Sequence, residues 1–159
     1  MQHFIRKHPV RSILLTLLVA YGLWWLYTDY ELTAYPRRIA ANLPVVPSSI
    51  IIRQREVSNT LCRTGSVLNY YATNLSWEEV IAFYQNNLNN SSWEPRGNLS
   101  YKWNQSANNQ RLNLYFHHID TPQDTMEQEA LSSGATGYIL TVAYTQSEIT
   151  ARKNCTPED

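Results

Sequence analysis

Ser76-Trp77-Glu78-Glu79-Val80-Ile81-Ala82-Phe83-Tyr84-Gln85-Asn86-Asn87-Leu88 carries the clearest local signal in the sequence. It opens as a capping box. The Ser76 hydroxyl can accept from the N–H of Glu79, and the Glu79 carboxylate can reach back to the N–H of Ser76. Glu78 and Glu79 also suit the positive end of a helix dipole. Trp77, Val80, Ile81, Tyr84 and Leu88 then recur on one face, widened by Phe83, so the spacing predicts an amphipathic helix. Asn89 and Asn90 can take the left-handed turn that ends it.

The segments on either side read as strands. Ser49–Val57 begins with three isoleucines, and Arg63-Thr64-Gly65 turns into Ser66–Ala72, which is β-branched and aromatic. After the helix, Trp93 starts a third extended piece and Leu99–Asn104 a fourth. The run 104–110 is a polar turn. Leu112, Leu114 and Phe116 then alternate with Asn113, Tyr115 and His117, the pattern of a half-buried strand. The run 120–137 is acidic and rich in Ser, Thr and Gly. It reads as a long surface loop with room for a short helical turn near Met126. Tyr138–Tyr144 (YILTVAY) is continuously apolar and predicts a central strand covered on both faces. Strand, strand, helix and then three or four strands predict an α+β domain over residues 48–146: an antiparallel sheet with one packed α-helix.

The run Tyr71-Ala72-Thr73, Trp77-Glu78-Glu79-Val80, Phe83-Tyr84, Leu88 and Trp93 resembles a pattern in small bacterial membrane-anchored and lipoprotein-type extracytoplasmic domains. In those, a tyrosine-ending strand leads through a threonine into a helix, followed by a Gly-Trp. The resemblance covers about residues 71–93 and implies an α+β fold without naming an activity. This chain has Ser92 where the pattern has glycine.

Upstream, Ile13–Tyr27 (ILLTLLVAYGLWWLY) carries no charge. Arg6, Lys7 and Arg11 precede it; Asp29 and Glu31 follow. This asymmetry predicts a single-pass signal-anchor over residues 10–30, with residues 1–9 in the cytoplasm and the rest outside, in the cell membrane of a bacterium. Trp24, Trp25, Tyr27 and Tyr30 form an aromatic cluster suited to a headgroup boundary or to contact with a membrane partner. Two alternatives stand beside the anchor: a cleaved signal peptide, and a helix buried in a soluble protein. No cysteine follows the apolar core at once, which excludes a lipoprotein anchor. The linker 31–47 contains Tyr35–Pro47 with three prolines and reads as an extended spacer; 147–159 reads as a C-terminal tail.

Cys62 and Cys155, the two cysteines, both fall on the outer side, where an even count reads as one disulfide. Two unrelated free thiols are the alternative. Every acidic residue lies after the apolar core, so the outer part is mildly acidic and has no basic stripe for nucleic acid. Six Asn-x-Ser/Thr sequons, at Asn74, Asn89, Asn90, Asn98, Asn104 and Asn154, bear on glycosylation only in a eukaryotic host.

Candidate chemistry is sparse. Strand alternation points His117 and His118 to opposite faces, which disfavours a shared metal. Glu78 and Glu79 are explained by helix capping, and Glu127 and Glu129 fall in the expected loop. No nucleophile elbow, P-loop or dinucleotide fingerprint occurs. No catalytic, cofactor or metal residue is therefore assigned. The expected function is a non-catalytic accessory subunit of a larger membrane complex, in contact with lipid and integral membrane proteins. An envelope ligand-binding or sensing module, with a pocket beside Trp77 and Trp93, is the alternative; an enzyme is the third class.

Overall fold

The computed structural model describes residues 9–88, 92–97, 99–103 and 110–146. Helix α1 runs from Pro9 to Ala41. Strands β1 (Ile50–Asn59) and β2 (Thr64–Thr73) form a hairpin, and α2 (Trp77–Leu88) follows. Then come β3 (Trp93–Gly97), β4 (Ser100–Trp103), β5 (Gln110–His118), α3 (Thr125–Leu131) and β6 (Thr136–Gln146).

The six strands make one antiparallel sheet in the order β1-β2-β6-β5-β4-β3. The fold class is α+β. β6 is central as its apolar run requires, but its faces differ. Tyr138, Leu140, Val142 and Tyr144 are buried, whereas Ile139, Thr141, Ala143 and Thr145 are half-buried. Period-two alternation thus sorts the sheet into a helix-covered face and a more open one. Register places Val67 and Tyr71 of β2, and Leu112, Leu114 and Phe116 of β5, on the covered face.

The capping box forms as the spacing requires. Ser76 N–H donates to Glu79 Oε2 at 2.8 Å, and Glu79 N–H donates to Ser76 Oγ at 3.3 Å. The Ser76 N–H and, at 3.0 Å, the Ser76 hydroxyl both donate to the ionised Glu79 carboxylate and hold it below its ordinary value. Val80, Tyr84 and Leu88 of α2 are buried over the sheet, with the Tyr84 ring 4.3 Å from that of Phe116. Tyr71 stacks on Tyr138 at 5.2 Å, and the Tyr84 and Tyr138 hydroxyls lie 3.4 Å apart. Burial pushes the Tyr71, Tyr84 and Tyr138 phenols up, so this cluster is neutral and serves packing.

Three expectations need correction. The expected spacer at 35–47 is helical as far as Ala41, and Leu32, Pro36 and Ala40 are buried on the side that faces the sheet. Tertiary burial of this stripe outweighs the local bias of Pro36 toward an extended chain. The expected loop at 120–137 contains α3, with Asp124 as its N-cap. Consequently the sheet carries three packed helical segments instead of one: the C-terminal part of α1, α2, and α3. The Asn89–Asn90 turn, the polar turn at 104–109, the sequons other than Asn74, and the tail from 147 lie outside the described residues.

Candidate functional site

The chain's most informative surface is the junction between α1 and the β1–β2 hairpin. Steps of 100° per residue put Trp25, Asp29, Leu32, Pro36 and Ala40 on one stripe of α1. From Asp29 onward this stripe faces the sheet. Asp29 Oδ1 accepts from Ser58 Oγ and, at 3.2 Å, from Thr60 Oγ1. One and two turns on, Leu32 is buried and the Tyr35 ring lies 5.0 Å from that of Tyr144. Arg37 then forks onto Glu56, with Nε to Oε1 at 2.7 Å and Nη2 to Oε2. That pairing holds the Glu56 carboxyl below its ordinary range.

Close approach at this junction depends on two residues without ordinary backbone chemistry. Pro36 has no N–H, so the Leu32 carbonyl lacks its helical donor from i+4. That carbonyl lies against Gly65: a methyl group at 65 would sit 1.9 Å from Leu32 O. Glycine at 65 is therefore what lets the helix backbone reach the strand.

Before Asp29, α1 leaves the sheet. Its side chains from Val10 to Tyr30 are nearly all exposed, and the helix is long and apolar enough to cross a membrane. Trp24, Trp25, Tyr27 and Tyr30 are 47–63% exposed. Helical steps of 100° spread them around the axis instead of along one stripe.

A second cluster holds the open face of the sheet. Arg53 follows a β-bulge at Ile52, which returns it to the face it shares with Tyr70. Its guanidinium lies 3.9 Å above the Tyr70 ring and pairs with Asp124. Glu127, only 1% exposed, approaches Arg53 Nη2 through Oε1 at 2.7 Å, an ionic contact without hydrogen-bond alignment. Its Oε2 accepts from the Gln123 N–H at 2.7 Å, while its own N–H donates to Asp124 Oδ1 at 2.9 Å. The cluster therefore pins α3 to β1. Glu127 is a buried ion-pair member, not a loop carboxylate. Its sequence signal is Asp124-Thr-Met-Glu127, the same cap spacing as at Ser76.

The remaining candidates lie apart. His118 meets Asp120 at 2.5 Å and lies 5.2 Å from the Trp77 ring, while His117 belongs to the opposite, open face by register. Among the described residues no three His, Cys, Asp or Glu side chains come together as a metal-sized group. Trp77, Val80, Ile81, Tyr84, Leu99, Tyr101 and Phe116 line a shallow apolar cleft of about 190 Å³, open mouth included. Trp93 is buried in the core. Cys62 is buried beside the hairpin turn, its N–H donating to Asn59 Oδ1 at 3.1 Å. Cys155, its expected partner, lies outside the described residues. Comparisons with family models, with curated proteins and with solved structures find no match for this chain.

Proposed function

We propose that the chain is a single-pass membrane protein whose α+β domain stands outside the cytoplasm, and that it serves as a non-catalytic accessory subunit of a larger membrane complex. One observation carries this reading. α1 is a single helix, largely exposed and uncharged through residues 12–28 and docked on the sheet from Asp29 to Ala40. A helix shared in this way fixes the height and orientation of the domain over a bilayer. An independent enzyme or a tethered sensor has no need of such rigidity, whereas a subunit that must meet a neighbour at one level does. Arg11 before the span and Asp29 and Glu31 after it favour a cytoplasmic N-terminus. The exposed Ile50 and Ile51 on edge strand β1 offer a contact surface at the far end of the domain.

The cleft beside Trp77 supports the ligand-binding alternative less well. Its space falls below the roughly 300–1,000 Å³ of ordinary small-molecule sites. Purification of the tagged full chain in mild detergents, followed by mass spectrometry of co-purifying proteins, tests the proposal. A stoichiometric membrane protein is the expected result. A monodisperse monomer in several mild detergents would defeat the subunit reading and favour the binding module.

A further inference from the structure

The β1–β2 turn carries the most exposed large apolar side chain of the described residues. Leu61 is 78% exposed. A lone exposed leucine on a soluble surface needs no explanation. The position of this one does. It sits second in the turn Thr60-Leu61-Cys62-Arg63, closed by the Arg63 N–H to the Thr60 carbonyl at 3.4 Å. Arg63 adopts a left-handed φ of 48°, which folds the chain sharply and leaves Leu61 at the apex.

Two hydrogen bonds set the height of that apex along α1. Ser58 and Thr60 both donate to Asp29, so the residue next to Leu61 is level with the first acidic residue after the apolar run. At about 1.5 Å per residue, Ser12–Thr28 covers about 25 Å, and with Arg11 snorkelling to the inner phosphates the helix matches the ~30 Å thickness of a hydrocarbon core. Asp29 thus marks the outer headgroup boundary. Farther along α1, Arg37 meets Glu56, so β1 runs toward Asp29 as α1 runs away from it, and the hairpin points back toward the apolar half of the helix. Trp25, one turn before Asp29 on the same stripe, is the next helix residue in that direction.

The geometry points to a second membrane contact: the turn at residues 60–63 inserts Leu61 among the lipid chains at the headgroup boundary, beside the Trp25 side of α1, with Arg63 placed to reach phosphate. Leucine supplies apolar area, and arginine can lay its stem along that area while its head stays in the polar layer. With the span at one point and the hairpin at another, the domain is held against tilting on its helix. This inference rests on the anchoring part of the functional reading and not on the existence of a partner subunit.

The test uses the full chain in vesicles of phosphatidylcholine and phosphatidylglycerol. The environment-sensitive amino acid acridonylalanine replaces Leu61 in one sample and Ile50, at the other end of β1, in a second. Lipids spin-labelled near the headgroup should quench position 61 several-fold more than position 50. The unaltered chain gives an independent readout with a phospholipid that carries a shallow photoreactive diazirine. After reduction and tryptic digestion, label is expected on peptide 56–63 and not on peptide 39–53. Equal quenching at both positions, or label on neither peptide, in chains that resist alkaline extraction overturns the hairpin contact and leaves the turn to a protein partner. Chains that wash off at alkaline pH overturn the anchor and the hairpin contact together. Absence of a co-purifying subunit would strike only the accessory-subunit reading.

Discussion

Arg53 sits in a stretch of isoleucines, where a charge facing the sheet surface is costly unless it is met. It is met three times, by the Tyr70 ring, by Asp124 and by Glu127. The side chains differ in burial: Arg53 is 28% exposed and Glu127 1%. Loss of the arginine would therefore strand a buried carboxylate, while loss of the glutamate would leave a cation that water can reach. Removal of one member of a buried pair costs about 3–5 kcal/mol, and partial exposure lowers this to about 2–4 kcal/mol for Arg53→Met. The double change Arg53→Met with Glu127→Leu should recover most of the loss. Denaturant melts of the three variants measure the cycle, and a neutral Arg53→Met would refute the role given to the cluster. Part of this site was legible. Asp124 and Glu127 have cap spacing, but the seven-residue α3 is too short for a periodic apolar stripe to announce it amid Ser, Thr and Gly. The pairing with Arg53 was not legible, because it joins residues 71 and 74 positions apart across a bulge that the sequence does not mark.

At the scale of elements, the strands and α2 follow from local pattern, since alternation and a capping box are short-range signals that the fold leaves intact. The second half of α1 does not. Pro36, Pro44 and Pro47 bias Tyr35–Pro47 toward an extended chain, and only the sheet-facing stripe Leu32, Pro36 and Ala40 reveals the helix. The junction at Gly65 decides whether that stripe can dock. Gly65→Ala would place a methyl 1.9 Å from the Leu32 carbonyl oxygen, a backbone atom that cannot rotate away. Overpacking of this kind costs about 1–3 kcal/mol, and faster hydrogen exchange over residues 30–41 is the expected signature in the full chain. Unchanged exchange would show that the helix docks without the close approach. Acid should act on the same junction. Glu56 is held below its ordinary value of 4.5 by the hydrogen bonds from Arg37 and their ionic attraction, with burial opposing. Its folded value lies below its unfolded one, so its contribution is complete above pH 4.5 and is lost as pH falls through the folded value. Exchange over residues 30–41 should therefore rise on the acid side of that pH, and Glu56→Gln should flatten the rise.

For the whole molecule, the asymmetry of charge around residues 13–27 and the single continuous α1 support the proposed arrangement, in which the N-terminus is inside, the sheet outside, and both cysteines in an oxidising compartment. Cys62 lies at the hairpin turn, at the end of the sheet where β6 leaves at Gln146. A bridge from Cys62 to Cys155 would close a loop of some ninety residues and return the chain's end to the same side of the domain as Asp29. The chain-entropy model assigns such a loop about 4 kcal/mol. Topology and bridge are tested together. Protease added to spheroplasts should digest the domain while the helix stays in the membrane, and non-reducing peptide maps of the intact protein should join the Cys62 and Cys155 peptides. Protection of the domain would reverse the orientation and remove the reason to expect oxidation. Digestion with both thiols freely alkylatable would keep the orientation and discard the bridge. The hairpin would then depend on the hydrogen bonds of Asp29 to Ser58 and Thr60, and Asp29→Ala would release it more completely than in the bridged protein.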